Sequence, residues 1–362
     1  MLPRILFFNV NGSGLGHMNR CLSYARRLRE RAEPVFFSLA SAIEVIEGMG
    51  FEADYFVSPY WSDNTSFAWN SELAVRFAMM LERVRPKVVV FDGTWPFQGF
   101  LSACRAYGAP LKMVWSNRGF LKADAARVSI PEGVFDLVIV PGELGSGFEE
   151  GSLDGVRKIQ VPPVSLLEDR EILDRGIARQ ALGLPVEGRL VLFSLGPGNL
   201  KDVSGIGHSL IRDFESEGFK VVWVRAPISA RDVELPTNVT PLSVYPLVRY
   251  MRAFDAFVGA AGYNTCCEVV QAGVPTLLVP NEQLADDQVR RAHLVARYAP
   301  TVVSACESDA DRGDALTRLL TLAPRLSTLA DISLDGANLA ADAILALAEG
   351  CNRSRYLAID AS

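Results

Sequence analysis

The sequence predicts an α/β protein built from two Rossmann-like domains. Short apolar runs alternate with longer amphipathic ones along most of the chain, the signature of βαβ units and parallel sheets. The alternation stops and restarts once, and each half opens with a strand, a Gly-rich turn and a helix. A length of 362 residues accommodates this, at about 100–200 residues per domain.

In the first half, residues 4–10 read as a strand, 11–16 as a Gly-rich turn and 17–31 as a helix. Strand 34–38 and helix 40–48 follow, then a less regular stretch at 51–67, helix 71–84 and the strongly β-branched strand 87–91. Helix 97–107 and strands 111–116 and 137–140 complete it. The rigid run Val161-Pro162-Pro163-Val164 breaks the pattern and marks a hinge. It divides the chain into residues 1–163, residues 164–336, and a closing helix with a loosely ordered tail at 337–362. The second half reads as strands 189–195, 220–224, 256–258, 276–279 and 301–303, with helices at 203–218, 264–272 and 286–298.

Bulk properties exclude several classes. A net charge of −6 carries no general nucleic-acid footprint. Apolar runs such as Val88-Val89-Val90-Phe91 are strand-sized, far from the ~20 residues of a spanning helix. The N-terminal strand has no cleavage site after it, so no signal peptide is expected. None of the cysteines forms a CxxC pair, which fits buried thiols in a reducing cytosol, and the scattered histidines argue against a His-built metal site. The expectation is a cytoplasmic protein with no metal, no nucleic-acid partner and at most peripheral membrane contact.

The densest chemistry lies in the second half. Gly259-Ala260-Ala261-Gly262-Tyr263-Asn264-Thr265 ends a strand, turns on glycines and opens a helix. Free N–H groups and the positive dipole end there suit a diphosphate, and Thr265 adds a hydroxyl. Glu268 follows one turn on, where a carboxylate accepts from both hydroxyls of a ribose. Thr265 to Glu268 also reads as a plain capping box. After strand 276–279, Asp286-Asp287-Gln288 opens the next helix at the carboxyl end of the sheet, a place that suits sugar hydroxyls.

In the first half, Gly12, Gly14 and Gly16 lead into His17. The spacing is one residue short of a dinucleotide fingerprint, and no acidic residue ends the second strand, so close approach to a substrate is favoured over NAD binding. His17, at a helix start, suits a neutral general base, with a capping or packing role as the alternative. Asp92 ends strand 87–91 and is a rival base, a partner orienting His17, or a cap. Arg118 is a candidate for an acidic acceptor or phosphate, or simply solvates a loop. Tyr60, Trp61, Trp69 and Trp95 offer stacking walls for an acceptor, or core. The basic run Arg26, Arg27, Arg29 and Arg31 reads as a solvated helix end, or as a dock for anionic lipid.

The order G-x-x-T-x-x-E, G-x-P, apolar strand, Pro, D-Q resembles the C-terminal domain of GT-B glycosyltransferases, most closely the MurG-like, family 28 type. Ser194-Leu195-Gly196-Pro197-Gly198 and Gly12-Ser13-Gly14-Leu15-Gly16-His17 extend the likeness into both halves. The resemblance implies two Rossmann-like domains facing each other across a cleft, the first binding an acceptor and the second a nucleoside diphosphate-sugar. It implies metal-independent, inverting transfer, with UDP-N-acetylglucosamine as the family's donor and a lipid-linked acceptor. On that pattern Val244 and Tyr245 meet the base and Glu268 the ribose. Gly196, Gly198, Asn199, Gly262, Asn264 and Thr265 meet the diphosphate, and Asp287 and Gln288 the sugar. The chain departs from the family at Asn11 and His17-Met18-Asn19-Arg20, at Pro197 and Asn199, and at Val289-Arg290-Arg291-Ala292. These departures leave acceptor, sugar and nucleotide open. A nucleotide-sugar hydrolase or 2-epimerase and a non-catalytic nucleotide-sugar binding protein remain as alternatives.

Overall fold

The computed structural model describes residues 1–10, 15–117, 133–196, 204–225, 227, 234–281, 286–326 and 332–350. In chain order the first half contains β1 (Arg4–Asn9), α1 (Gly16–Leu28), β2 (Glu33–Ser38), α2 (Ile43–Gly48), β3 (Glu52–Tyr55), α3 (Ser66–Val84), β4 (Val88–Asp92), α4 (Gln98–Ala106), β5 (Lys112–Ser116), β6 (Leu137–Pro141), β7 (Glu149–Leu153) and β8 (Val156–Val161). The second contains α5 (Arg175–Ala181), β9 (Arg189–Ser194), α6 (Ser204–Ser216), β10 (Phe219–Val224), β11 (Thr240–Leu242), β12 (Ala256–Gly259), α7 (Tyr263–Ala272), β13 (Thr276–Leu278), α8 (Gln288–Tyr298), β14 (Thr301–Val303) and α9 (Asp309–Leu320). The helix α10 (Gly336–Ala348) closes the chain's described part.

The first sheet runs β3-β2-β1-β4-β5-β6-β8-β7 and the second β11-β10-β9-β12-β13-β14. All pairings are parallel except β7 with β8. In each sheet the chain winds outward from a central strand and then crosses to its other side. Switch points therefore fall between β1 and β4 and between β9 and β12, where open α/β sheets form ligand crevices.

The alternation of sequence patterns is thus realised as two parallel sheets. The differences are local and physical. The less regular stretch contains β3, whose edge position lets polar residues alternate with small ones. The pair β7–β8 lies just before the expected hinge. β7 is wholly exposed, so no apolar run marks it, but the connecting Asp154 and Gly155 have φ of 48° and 79°. Asp-Gly with both residues left-handed is the signature of a two-residue hairpin turn, and that was the signal available in the sequence.

The two halves share a core. One cluster of buried side chains runs from Ile5 and Met18 through Val164 and Leu167 to Val269 and Ile344. The linker after β8 and the start of α10 lie side by side: Val164 bridges Asp335, and Gly336 N–H donates to Pro163 O at 3.2 Å. The closing segment, set apart in the sequence reading, returns to the first half, where α10 packs on α1 and β8. The basic end of α1 is divided: Arg29 and Arg31 are exposed, as a solvated end would be, whereas Arg26 and Arg27 are partly buried and tie these segments down. Arg26 bonds Glu171 at 2.5 Å, Arg27 bonds Leu166 O at 2.7 Å and Arg31 bonds Asp342 at 2.5 Å. A Cβ at Gly336 would stand 1.9 Å from Pro162 O, a backbone atom that has no rotamer to yield. Gly336→Ala should therefore cost about 1–3 kcal/mol or more, read as a lower urea midpoint; an unchanged midpoint would show that the crossing relaxes freely.

Candidate active site

At the first switch point, β1 and β4 pair through Asn9 and Asp92, and α1 begins just beyond β1. Gly16 is the first residue of α1, so His17 sits in its opening turn, with Nδ1 2.6 Å from Asp92 Oδ1. A carboxylate only accepts, so a contact this short places a hydrogen on Nδ1, and in the neutral ring the lone pair is then on Nε2. Asp92 is fully buried and His17 partly so.

Arg20 completes the arrangement one turn further along α1. Its Nε lies 2.7 Å from Asp92 Oδ2 and its Nη2 2.5 Å from Oδ1, a bidentate clamp. Burial opposes ionisation of Asp92, but the Arg20 charge and the bond from His17 outweigh it and hold the carboxyl at about 2. A group so acidic takes up no proton near neutral pH. Of the roles open to Asp92, the geometry favours the partner that orients His17 and disfavours the rival base. The capping alternatives fail: Leu15 is the N-cap of α1, and Phe97 that of α4. Arg20 was not a sequence candidate, although spacing i, i+3 from His17 puts both on one helical face.

At the second switch point, Ser194 pairs Gly259, so the turns after β9 and β12 adjoin. Gly196 follows β9 with φ of 96°, a conformation that favours glycine. Gly262 is the N-cap of α7 and has no side chain with which to close the first-turn amides. Asn264 and Thr265 occupy that turn, both partly exposed. Because the helix starts at Tyr263, Thr265 lies inside it and the capping-box reading of Thr265 and Glu268 does not apply. Glu268 is half-buried and has no hydrogen-bond or ion-pair partner among the described residues; burial pushes its carboxyl up to about 8. Tyr245, beside Val244, lies close enough to feel the Glu268 charge, which adds to burial in raising its phenol.

Asp287 and Gln288 reach the same edge but are partly committed to the fold. Asp287 Oδ1 accepts from Arg290 N–H at 3.1 Å as the N-cap of α8, and Gln288 Oε1 accepts from Asn281 N–H at 3.0 Å. Asn281 was not anticipated; its Nδ2 lies 3.8 Å from where a Cβ at Gly196 would be, which joins the β13 end to the β9 turn. Gly14, Gly198, Asn199 and Arg118 lie outside the described residues. Trp69 is buried, whereas Tyr60, Trp61 and Trp95 are exposed, at 82%, 64% and 48%.

The two edges meet. Tyr263, first residue of α7, accepts from Val164 N–H at 2.9 Å and donates to Gly142 O, beyond β6, at 3.0 Å. Tyr245 OH donates to Asn19 Oδ1 on α1, and α1 packs against α7. The helix bearing His17 is thereby held next to the helix whose N-terminus follows the Gly262 turn. Two parallel α/β sheets with crevices joined in this way match solved glycosyltransferase structures over nearly their whole length. Spinosyn rhamnosyltransferase SpnG aligns at a TM-score of 0.57 and 15% identity, over 96% of both chains. The MurG of Acinetobacter baumannii aligns at 0.54 and 13%, over 94% of this chain and 99% of that one.

The fold is GT-B. The sequence likeness is to MurG-type proteins. Residues 228–304 match the glycosyltransferase family 28 C-terminal domain. The chain is 26% identical over 259 residues to the UDP-N-acetylglucosamine–N-acetylmuramyl-(pentapeptide) pyrophosphoryl-undecaprenol N-acetylglucosamine transferase of Symbiobacterium thermophilum, covering 67% of this chain and 65% of the relative. The protein of the same description from Bacillus licheniformis is 22% identical over 147 residues, 38% of this chain and 40% of its own length. The chain thus spans 40% to 65% of the curated relatives it matches. Among the described residues no helix is long and apolar enough to cross a membrane, and no group of three His, Cys, Asp or Glu is placed to hold a metal ion.

Proposed function

We propose that this chain is a glycosyltransferase that moves a sugar from a nucleoside diphosphate-sugar to an acceptor hydroxyl, with inversion and without a metal ion. The observation that carries the reading is that α1, which sets His17 against Asp92, packs on α7, with Arg20 one turn on from His17 close enough to feel Tyr263 at the α7 start. The acceptor O–H gives its proton to His17 Nε2, the oxygen bonds to the anomeric carbon, and the bond from that carbon to the diphosphate breaks, its electron pair leaving with phosphate. Amides and dipole at the α7 start, with Thr265, receive that charge. Glu268 holds the ribose, Val244 and Tyr245 the base, and Asp287 Oδ2 and the Gln288 amide the sugar.

The donor reading is UDP-linked and UDP-N-acetylglucosamine-like, supported by the family 28 match and the named donor of the curated relatives. For the acceptor, the exposed Tyr60, Trp61 and Trp95 favour a molecule with an apolar or aromatic face. Purified protein incubated with UDP-N-acetylglucosamine, dTDP- and GDP-sugars, with and without hydroxyl acceptors, tests the proposal. Transfer only with acceptor supports it; stoichiometric turnover without acceptor assigns a hydrolase, and binding without turnover a non-catalytic protein. Calorimetry with Glu268→Ala tests the donor site, and unchanged nucleotide affinity there would overturn it.

A pH dependence follows from Glu268. Its carboxyl is raised to about 8 in the unliganded protein, while the ribose hydroxyls need the ionised form as acceptor. Ionisation must be driven at pH 6 and is nearly free above pH 8, so nucleotide affinity should rise across this range and flatten beyond it. Glu268→Gln should bind more weakly and lose the slope, read by calorimetry at pH 6, 7 and 8.5. A parent slope of zero would contradict the assignment.

A further inference from the structure

Asp92 is shared in a way that a simple His–carboxylate pair does not require. Its two oxygens are both clamped by Arg20, at 2.7 and 2.5 Å, and one of them also accepts from His17 at 2.6 Å. Arg20 Nη2 stands 3.1 Å from His17 Nδ1, and since that nitrogen carries its hydrogen toward Asp92, the contact sets two donors side by side. Arg20 is 3% exposed and Asp92 not at all, so water screens little of this. Burial opposes the Arg20 charge, but Asp92 more than offsets it and the guanidinium stays charged.

We infer that Arg20 is a positioning residue that cancels the charge of Asp92 as seen from His17, so that Asp92 orients the imidazole without stabilising its protonated form. This rests on His17 being the base of the proposed transfer. An imidazole facing a lone buried carboxylate is drawn toward imidazolium. An imidazole facing a carboxylate already paired with a guanidinium meets no net charge from that pair and keeps the directional bond to it. The result is a ring held in the productive tautomer that stays neutral to lower pH, and a neutral ring is the form able to accept the acceptor's proton. The other titratable groups that act on Arg20 and Asp92 do not disturb this balance. Burial pushes Cys21 and Tyr24 on α1 and Tyr263 on α7 upward, so all three stay neutral at assay pH.

The test is the titration of the His17 ring by NMR in the whole protein, assigned by its loss in His17→Ala, together with the pH profile of kcat/KM. In Arg20→Met the ring should titrate about one pH unit or more higher, and the acid limb of kcat/KM should move with it, giving roughly a tenfold loss on that limb. Arg20→Lys keeps the charge and loses the fork: the titration should stay near that of the parent while kcat falls. If Arg20→Met does not fold, Arg20→Gln carries the same expectation. A His17 titration unmoved by removal of the charge overturns the inference, even where kcat falls, because a merely structural Arg20 would lower kcat and leave the titration in place. The NMR arm needs no turnover: if transfer is never found, the proposed function fails while the charge-cancelling role is still decided.

Discussion

His17→Ala should lower kcat for sugar transfer by about 10²–10⁴-fold, the range of a positioned general base, and leave nucleotide affinity unchanged. The expectation follows from where the ring sits. Its Nδ1 is engaged by Asp92 on the first sheet, while the diphosphate turns belong to the second, so deleting the ring removes no donor contact proposed here. Asp92→Asn gives the complementary result. An amide at the same place presents N–H as readily as oxygen toward Nδ1, the tautomer is no longer imposed, and Arg20 loses its counter-charge. The variant should lose most of the same activity, with KM for the donor little changed. Steady-state kinetics with calorimetry for the nucleotide checks both. A His17→Ala enzyme within threefold of the parent in kcat would remove His17 from the chemistry.

The legible parts of the fold were those in which local pattern and tertiary fate agree. Strand 87–91 is apolar because it is buried on both faces, and β4 occupies that place. The Gly-rich turns announced themselves because glycine is needed where the backbone reverses, as at Gly196. The switch-point placement of His17 and Asp92 followed from strand ends, and that of Glu268 from the Gly turn and one turn of helix. What escaped was partnership across the chain. The Arg20 clamp joins residues 72 apart in sequence, and nothing near Arg20 reports that Asp92 will be its neighbour. Tyr245 and Tyr263 lie in stretches read as donor-binding, yet their hydroxyls also fasten the two halves together. The basic run following α1's core face was legible in part: Arg29 and Arg31 are exposed, but the partners of Arg26 and Arg27, Glu171 and Leu166, lie far along the chain.

Arg291 should produce the largest loss of stability. It was visible in the sequence only as a departure from the family at the start of α8. In the fold it is wholly buried and bonds Glu143 at 2.8 and 2.7 Å, Asp286 at 3.0 and 2.7 Å, and Ala261 O at 3.3 Å. Burial opposes its charge, and the bonds it donates to Glu143 and Asp286 overcome that and raise its pKa further. Glu143 follows β6 in the first half, whereas Asp286 and Ala261 belong to the second, so the guanidinium registers one half against the other at the turn that opens α7. Arg291→Met removes the guanidinium that bonds both buried carboxylates, and should cost about 3–5 kcal/mol, seen as a lower urea midpoint at pH 7. Glu143→Gln leaves Arg291 paired with Asp286 and should cost distinctly less. It should nevertheless raise the donor KM, since the α7 turn loses a charged tie to the first half while the fold survives. Equal midpoints for the parent and Arg291→Met would mean that the cluster contributes no net stability and that the halves are held in register without it.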